Sequence, residues 1–228
     1  MYDTVLVPSD GSEHAVRAAE HGAYLARAFD AAVHLLHVVD VQAAAGLFDA
    51  GGVDAAFVER LEAEGEAALE AVEGVVEDSD RVRTASVRGE PSGAILDYAD
   101  EHGADLIAMG THGRTGVSRY FAGSVTERVV RRAEVPVLTV RATERSRVDG
   151  DYTDVLVPTD GSEHAAAAVE HAVAIGERAG ARVHAVSVVD VTRLGAGSDL
   201  GVVPELRDGL EAEAERATEA VATRAEEV

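Results

Sequence analysis

The stretch VLVPSDGSEHA, Val5–Ala15, decides the reading of this chain, because it returns almost letter for letter as VLVPTDGSEHA at Val155–Ala165. In each copy a short apolar run ends at a proline, Pro8 or Pro158, and a small polar turn follows. Ser12 or Ser162 then stands where a helix cap belongs, ahead of apolar residues at helical spacing. The likeness runs without a gap from Val5–Val41 to Val155–Val191, with about half the positions identical. A repeat this long marks the tandem duplication of a domain, not a short-period solenoid.

Outward from the first copy, strand and helix signals alternate. Thr4–Pro8 and Ala32–Val39 read as buried strands, Arg81–Arg88 as an alternating one, and Ala104–Met109 and Val135–Val140 as two more. Glu13–Phe29, Val53–Glu77, Ser92–His102 and Ser124–Arg132 read as the helices between and after them. Such alternation predicts an α/β fold, an open doubly wound parallel sheet of five strands with both faces covered. Arg141–Tyr152, polar and aperiodic, reads as a linker. The domains expected are 1–141, a linker at 142–151, and a partial second unit at 152–228 with strand, helix, strand and helix only.

Composition narrows the function classes. The 228-residue chain has a formal net charge of −22 and no cysteine; its basic residues are all arginine, with no lysine. Such an acidic, lysine-free surface suits molar salt, where the Debye length falls to about 3 Å and carboxylate repulsion is screened, the alternative being an ordinary acidic protein of a GC-rich genome. A polyanionic partner is repelled, so nucleic acid is not expected. No apolar run reaches the roughly 18 residues a membrane span needs, and no basic-then-apolar leader is seen, so a cytoplasmic setting is expected.

In open α/β sheets ligands bind beyond the carboxyl ends of the strands, where the strand order reverses. Three segments should meet there: PSDGS at Pro8–Ser12, HVVD at His37–Asp40, and MGTHGRTGVSRYFAGSV at Met109–Val125. In the third, Gly110, Gly113 and Gly123 frame a loop that allows close backbone approach to a phosphate, and Ser124 opens a helix whose N-terminus favours an anion. Ser124 adds a hydroxyl and Arg114 a cation. His14 and His21 lie on one helix face two turns apart, too far for one metal ion, and are expected to be solvated or capping side chains. No protein metal site is expected, beyond a contact of Asp10 with nucleotide-bound Mg²⁺.

The spacing Gly110-x2-Gly113-x9-Gly123-Ser124, with VLVPSDGS, HVVD and VPVLTV around it, resembles the universal stress protein family in its ATP-binding branch. The resemblance covers Met1–Arg141 and, as half a domain, Tyr152–Val228. It implies strand order 3-2-1-4-5, as in the adenine nucleotide alpha hydrolase-like fold, and a site for ATP or another adenine nucleotide with Mg²⁺. Pro8, Ser9, Asp10 and Val38 would lie about the base and ribose, and Met109 and Gly110 near the sugar. Gly113, Gly123, Ser124 and Val125 would hold the phosphates. It further implies a regulatory role in stress response and self-association, as homodimer or larger, through the edge strand Val135–Val140. No catalytic residue is assigned. There is no P-loop, no H-x-G-H and no S-G-G-x-D-S, which leaves slow ATP hydrolysis or an assembly module with an empty site as alternatives. Only the first unit carries the glycine loop, so one site per chain is expected.

Overall fold

The computed structural model describes residues 1–40, 55–76, 81–112, 124–190 and 204–227. They form two compact units, Met1–Asp149 and Gly150–Val228. In the first, five strands alternate with four helices: β1 (Thr4–Pro8), α1 (Glu13–Phe29), β2 (Ala32–Val39), α2 (Ala55–Glu73), β3 (Val82–Arg88), α3 (Pro91–Glu101), β4 (Leu106–Gly110), α4 (Ser124–Arg132) and β5 (Val137–Val140). The strands are parallel in the order β3-β2-β1-β4-β5. The order reverses between β1 and β4, which sets their carboxyl ends, Pro8 and Gly110, beside the crevice where a ligand belongs.

Strand alternation sorts the core into two layers. Leu6, Leu36, Ile107 and Met109 face Ile95, Tyr98 and Ala99 of α3 and Val129 of α4. Val5 and Val7 point the other way, toward α1, where Gly22 stands so close that a Cβ would lie 2.9 Å from Val7 Cγ2 and 3.3 Å from Ala108 Cβ. Leu6, Leu36 and Ile107 are fully buried, which explains why these strands read as continuous apolar runs.

Helix ends follow from local chemistry. Ser12 accepts a hydrogen bond from the Ala15 amide at 3.2 Å and caps α1 as expected. The cap of α3 is Glu90, one residue before Pro91, so the helix begins ahead of the expected Ser92. The Glu90 carboxylate accepts from Ser92 Oγ at 2.7 Å and from the Gly93 amide at 2.9 Å, and these bonds pull its pKa down to about 2. α1 closes on a left-handed residue, Asp30, with φ 57°.

β5 starts at Val137, two residues later than expected, immediately after Pro136, which has no amide to give a ladder. The chain beyond β5 also departs from its reading as a plain linker. Arg141–Ser146 folds back into a turn with a 3₁₀ segment, Glu144–Ser146, and remains part of the first unit.

The second unit comprises β6 (Asp154–Pro158), α5 (Glu163–Ala179), β7 (Arg182–Val186) and α6 (Pro204–Glu226), with β6 and β7 parallel. Ser162 caps α5 as Ser12 caps α1, and Gly180, φ 64°, closes it. Val157 packs under Val169 and Val173 of α5 and Val221 of α6. On the opposite face Leu156 is 68% exposed, whereas its counterpart Leu6 is fully buried. β7 is also shorter than β2. The last three residues of β2, His37–Val39, pair with β3, and among the described residues β7 has no such neighbour.

Candidate functional site

The turn after β1 is built from its own side chains. The Ser9 amide donates to Leu36 O at 2.8 Å, which brings the turn against β2. Ser9 Oγ donates to Ala68 O of α2 at 3.0 Å and accepts from the Gly11 amide at 3.1 Å. Its single proton is thus committed inside the fold, and the residue is buried. Asp10 Oδ1 accepts from the Ser12 amide at 3.1 Å, an Asx turn. Gly11 has φ 75°, a left-handed value that suits glycine and bends the chain into α1. His37 Nδ1 donates to Ser9 O at 2.9 Å, so the HVVD segment buttresses the same turn. The His37 ring in turn rests on Gly65 of α2, where a Cβ would come within 2.5 Å of Cδ2.

The β4 side is equally defined. Met109 is buried among Leu6, Leu36 and Val129, which leaves only its backbone to face a ligand. Gly110 is required by its neighbour: a Cβ there would lie 2.7 Å from His14 Cβ and 2.8 Å from its carbonyl carbon. The glycine is therefore set by the close approach of α1, a cause distinct from the phosphate approach expected from sequence. Thr126, buried in the first turn of α4, donates from Oγ1 to Gly110 O at 2.7 Å and docks that helix on the end of β4. Ser124 is exposed at the start of α4, and Val125 packs partly on the core. The first amides of any helix lack acceptors within it, so the start of α4 offers donors close to Gly110.

Pro8, Ser9, Asp10, Met109 and Gly110 thus stand at the ends of β1 and β4, while Val38, half-buried near the end of β2, packs against the core beneath. Gly113, Arg114 and Gly123 lie outside the described residues. Sequence reasoning missed Thr126, Ala68 and His14. A buried threonine just inside a helix and a carbonyl bond across the fold leave no pattern in the letters. The close approach of His14 to Gly110 becomes visible only once the two elements are packed together.

His14 and His21, expected to be solvated or capping, are half-buried and each holds a backbone group. His14 Nδ1 accepts from the Ala142 amide at 3.1 Å, and His21 Nε2 donates to Ser146 O at 2.9 Å. Burial lowers the pKa of both, and for His14 the adjacent His112 charge acts in the same direction. Among the described residues no three His, Asp or Glu side chains are placed to hold a metal ion, and no helix is long and apolar enough to cross a membrane.

Comparison with known proteins agrees with this architecture. The model of the universal stress protein family matches residues 1–141 and 151–228. A universal stress protein of Methanocaldococcus jannaschii is 39% identical over 142 residues, which are 62% of this chain and 83% of that protein. The solved universal stress protein UspA of Lactobacillus plantarum is 30% identical and superposes with a TM-score of 0.51, covering 61% of this chain and 98% of its own. A solved universal stress protein of Archaeoglobus fulgidus, at 22% identity, shares the fold over 92% of this chain and 73% of its own, with a TM-score of 0.64.

Proposed function

The chain belongs to the universal stress protein family, and on that premise we propose that its first unit binds an adenine nucleotide, ATP or a close relative, and acts as a nucleotide-responsive regulatory protein of the stress response. One observation carries this reading. The Asx turn of Asp10 and the backbone of Gly110 border the point where strand order reverses, and Thr126 docks the donor-rich start of α4 on the same strand end. Such a corner offers a carboxylate to a ribose and amides to phosphates. Asp10 would hold the sugar hydroxyls or a nucleotide-bound Mg²⁺, and the α4 start with Ser124 would hold the phosphates. By the family resemblance Gly113, Arg114 and Gly123, outside the described residues, would join them. The charge of −22 without lysine supports work in concentrated salt.

The reading is of a binding protein, with ATP hydrolysis slow at most. Calorimetry with ATP in molar salt tests it. Heat on binding and a raised melting temperature are expected, with weaker binding by Asp10→Asn, which keeps the turn acceptor and loses the charge. Absence of both for ATP, ADP and AMP would leave an assembly module. Rapid, Asp10-dependent ATP cleavage would make the protein an enzyme.

Assembly has its own support. β5 is the edge of its sheet among the described residues, and edge strands pair with other chains. Self-association through Val137–Val140 is the corresponding proposal. Light scattering in molar salt should give at least a dimer, and a monomer would refute it.

A further inference from the structure

His14, Arg17 and His21 share one face of α1, at i, i+3 and i+7. Two of them hold the chain that leaves β5. His14 takes the Ala142 amide on Nδ1, and His21 gives its Nε2 proton to the Ser146 carbonyl. Between these two points the segment is closed on itself: Ser146 Oγ donates to Arg141 O at 2.5 Å and accepts from the Thr143 amide at 3.0 Å. The segment Arg141–Ser146 is thus a preformed turn pinned to α1 at both ends.

The two pins differ chemically. A backbone amide can only donate, so His14 Nδ1 must carry a lone pair, and the imidazole must be neutral with its proton on Nε2. A carbonyl can only accept, so the His21 bond survives in either charge state. We propose that His14 and His21 form a pH-dependent clasp on Arg141–Ser146, which opens at its Ala142 end when His14 is protonated on Nδ1 while His21 keeps hold of its Ser146 end.

Four charged or titratable groups bear on His14. Asp10 in the turn after β1 and Glu13 on α1 favour its protonation. His112 after β4, its ring 5.2 Å away, and Arg141 after β5 oppose it, and burial opposes it most. His21 lies near Glu20, which favours its charge, and Arg17, which opposes it. Arg17 is itself buried, paired with Glu20 at 2.5 Å, and its Nε finds no partner among the described residues. The clasp therefore stays closed at neutral pH and opens in mild acid. It rests on these contacts alone and stands whether or not a nucleotide binds.

Amide exchange by NMR on the whole chain in molar salt tests the clasp, with the His14 ring titrated in the same samples. In the wild type the protection factor of the Ala142 amide should fall about tenfold per pH unit once His14 begins to protonate. His14→Asn places a non-titrating acceptor, Oδ1, at the δ position that Nδ1 occupies. It should keep Ala142 protected with no such dependence, and His14→Ala should leave it unprotected at every pH. Protection that stays flat through the His14 titration would overturn the clasp. So would a His14→Asn variant with the wild-type profile, or a His14 that stays neutral until the chain unfolds.

Discussion

Gly110 and His14 meet with no room for a methyl group between them: a Cβ on Gly110 would lie 2.8 Å from the carbonyl carbon of His14 and 2.9 Å from its oxygen. Backbone cannot yield as a flexible side-chain tip can. Gly110→Ala should push α1 away from β4 and cost about 1–3 kcal/mol, in the range of overpacked cores. Urea denaturation of the two proteins measures this. An alanine variant of wild-type stability would show that α1 and β4 are less closely packed.

Thr126 offers a second handle on the same corner. Thr126→Val keeps the shape and removes the donor to Gly110 O, at a cost of about 1–3 kcal/mol for a buried acceptor left without it. Thr126→Ser, which keeps the hydroxyl, should lose less. Should the valine variant match the wild type in thermal and urea unfolding, the hydroxyl is not what docks α4.

The duplication supplies a matched pair of core mutations. Leu6→Ala removes a fully buried side chain and should cost about 2–5 kcal/mol. Leu156→Ala, at the equivalent position but 68% exposed, should stay within about 0.5 kcal/mol. Separate unfolding transitions, followed by amide exchange in each unit, distinguish the two. Equal large losses would mean that Leu156 is covered in solution.

Stability should also fall in mild acid. His14, His21 and His34 are all pushed below their ordinary 6.5, in each case chiefly by burial. Below 6.5 the unfolded chain therefore binds protons that the folded chain refuses, so stability is full above that pH and declines as pH drops toward the native values. Molar salt should be kept throughout, to hold the carboxylate repulsion of the acidic surface screened. Urea midpoints at pH 8, 6.5 and 5 should decrease in that order, and a flat series would contradict the shifts. Glu90 acts lower down, losing its contribution as pH falls from 4.5 through about 2.

Much of this fold was legible in the letters, for a physical reason. Parallel strands covered on both faces must be apolar along their whole length, so β1, β2 and β4 announce themselves, and Ser12 marks the start of α1 because a free amide needs an acceptor nearby. What stayed hidden was long-range. Glu90 caps α3 although the sequence offers the more usual Ser92 two residues on, because Pro91 fixes the first turn one residue earlier. The histidines of α1 read as solvated or capping, and nothing in their own neighbourhood says that the groups they cap are Ala142 and Ser146. At the candidate site the turn residues were legible as types, Asp10 and Gly110 above all. The bond of Asp10 to the Ser12 amide is local, whereas the approach of His14 that demands Gly110 belongs to packing.

At the end of α1 and again at the end of α5 the chain makes the same left-handed corner, once with Asp30 at φ 57° and once with Gly180 at φ 64°. The two copies have exchanged the residue and kept the torsion. A duplicated domain can thus be read as two transcripts of one set of backbone angles, in which each letter is free to drift as far as its angle allows.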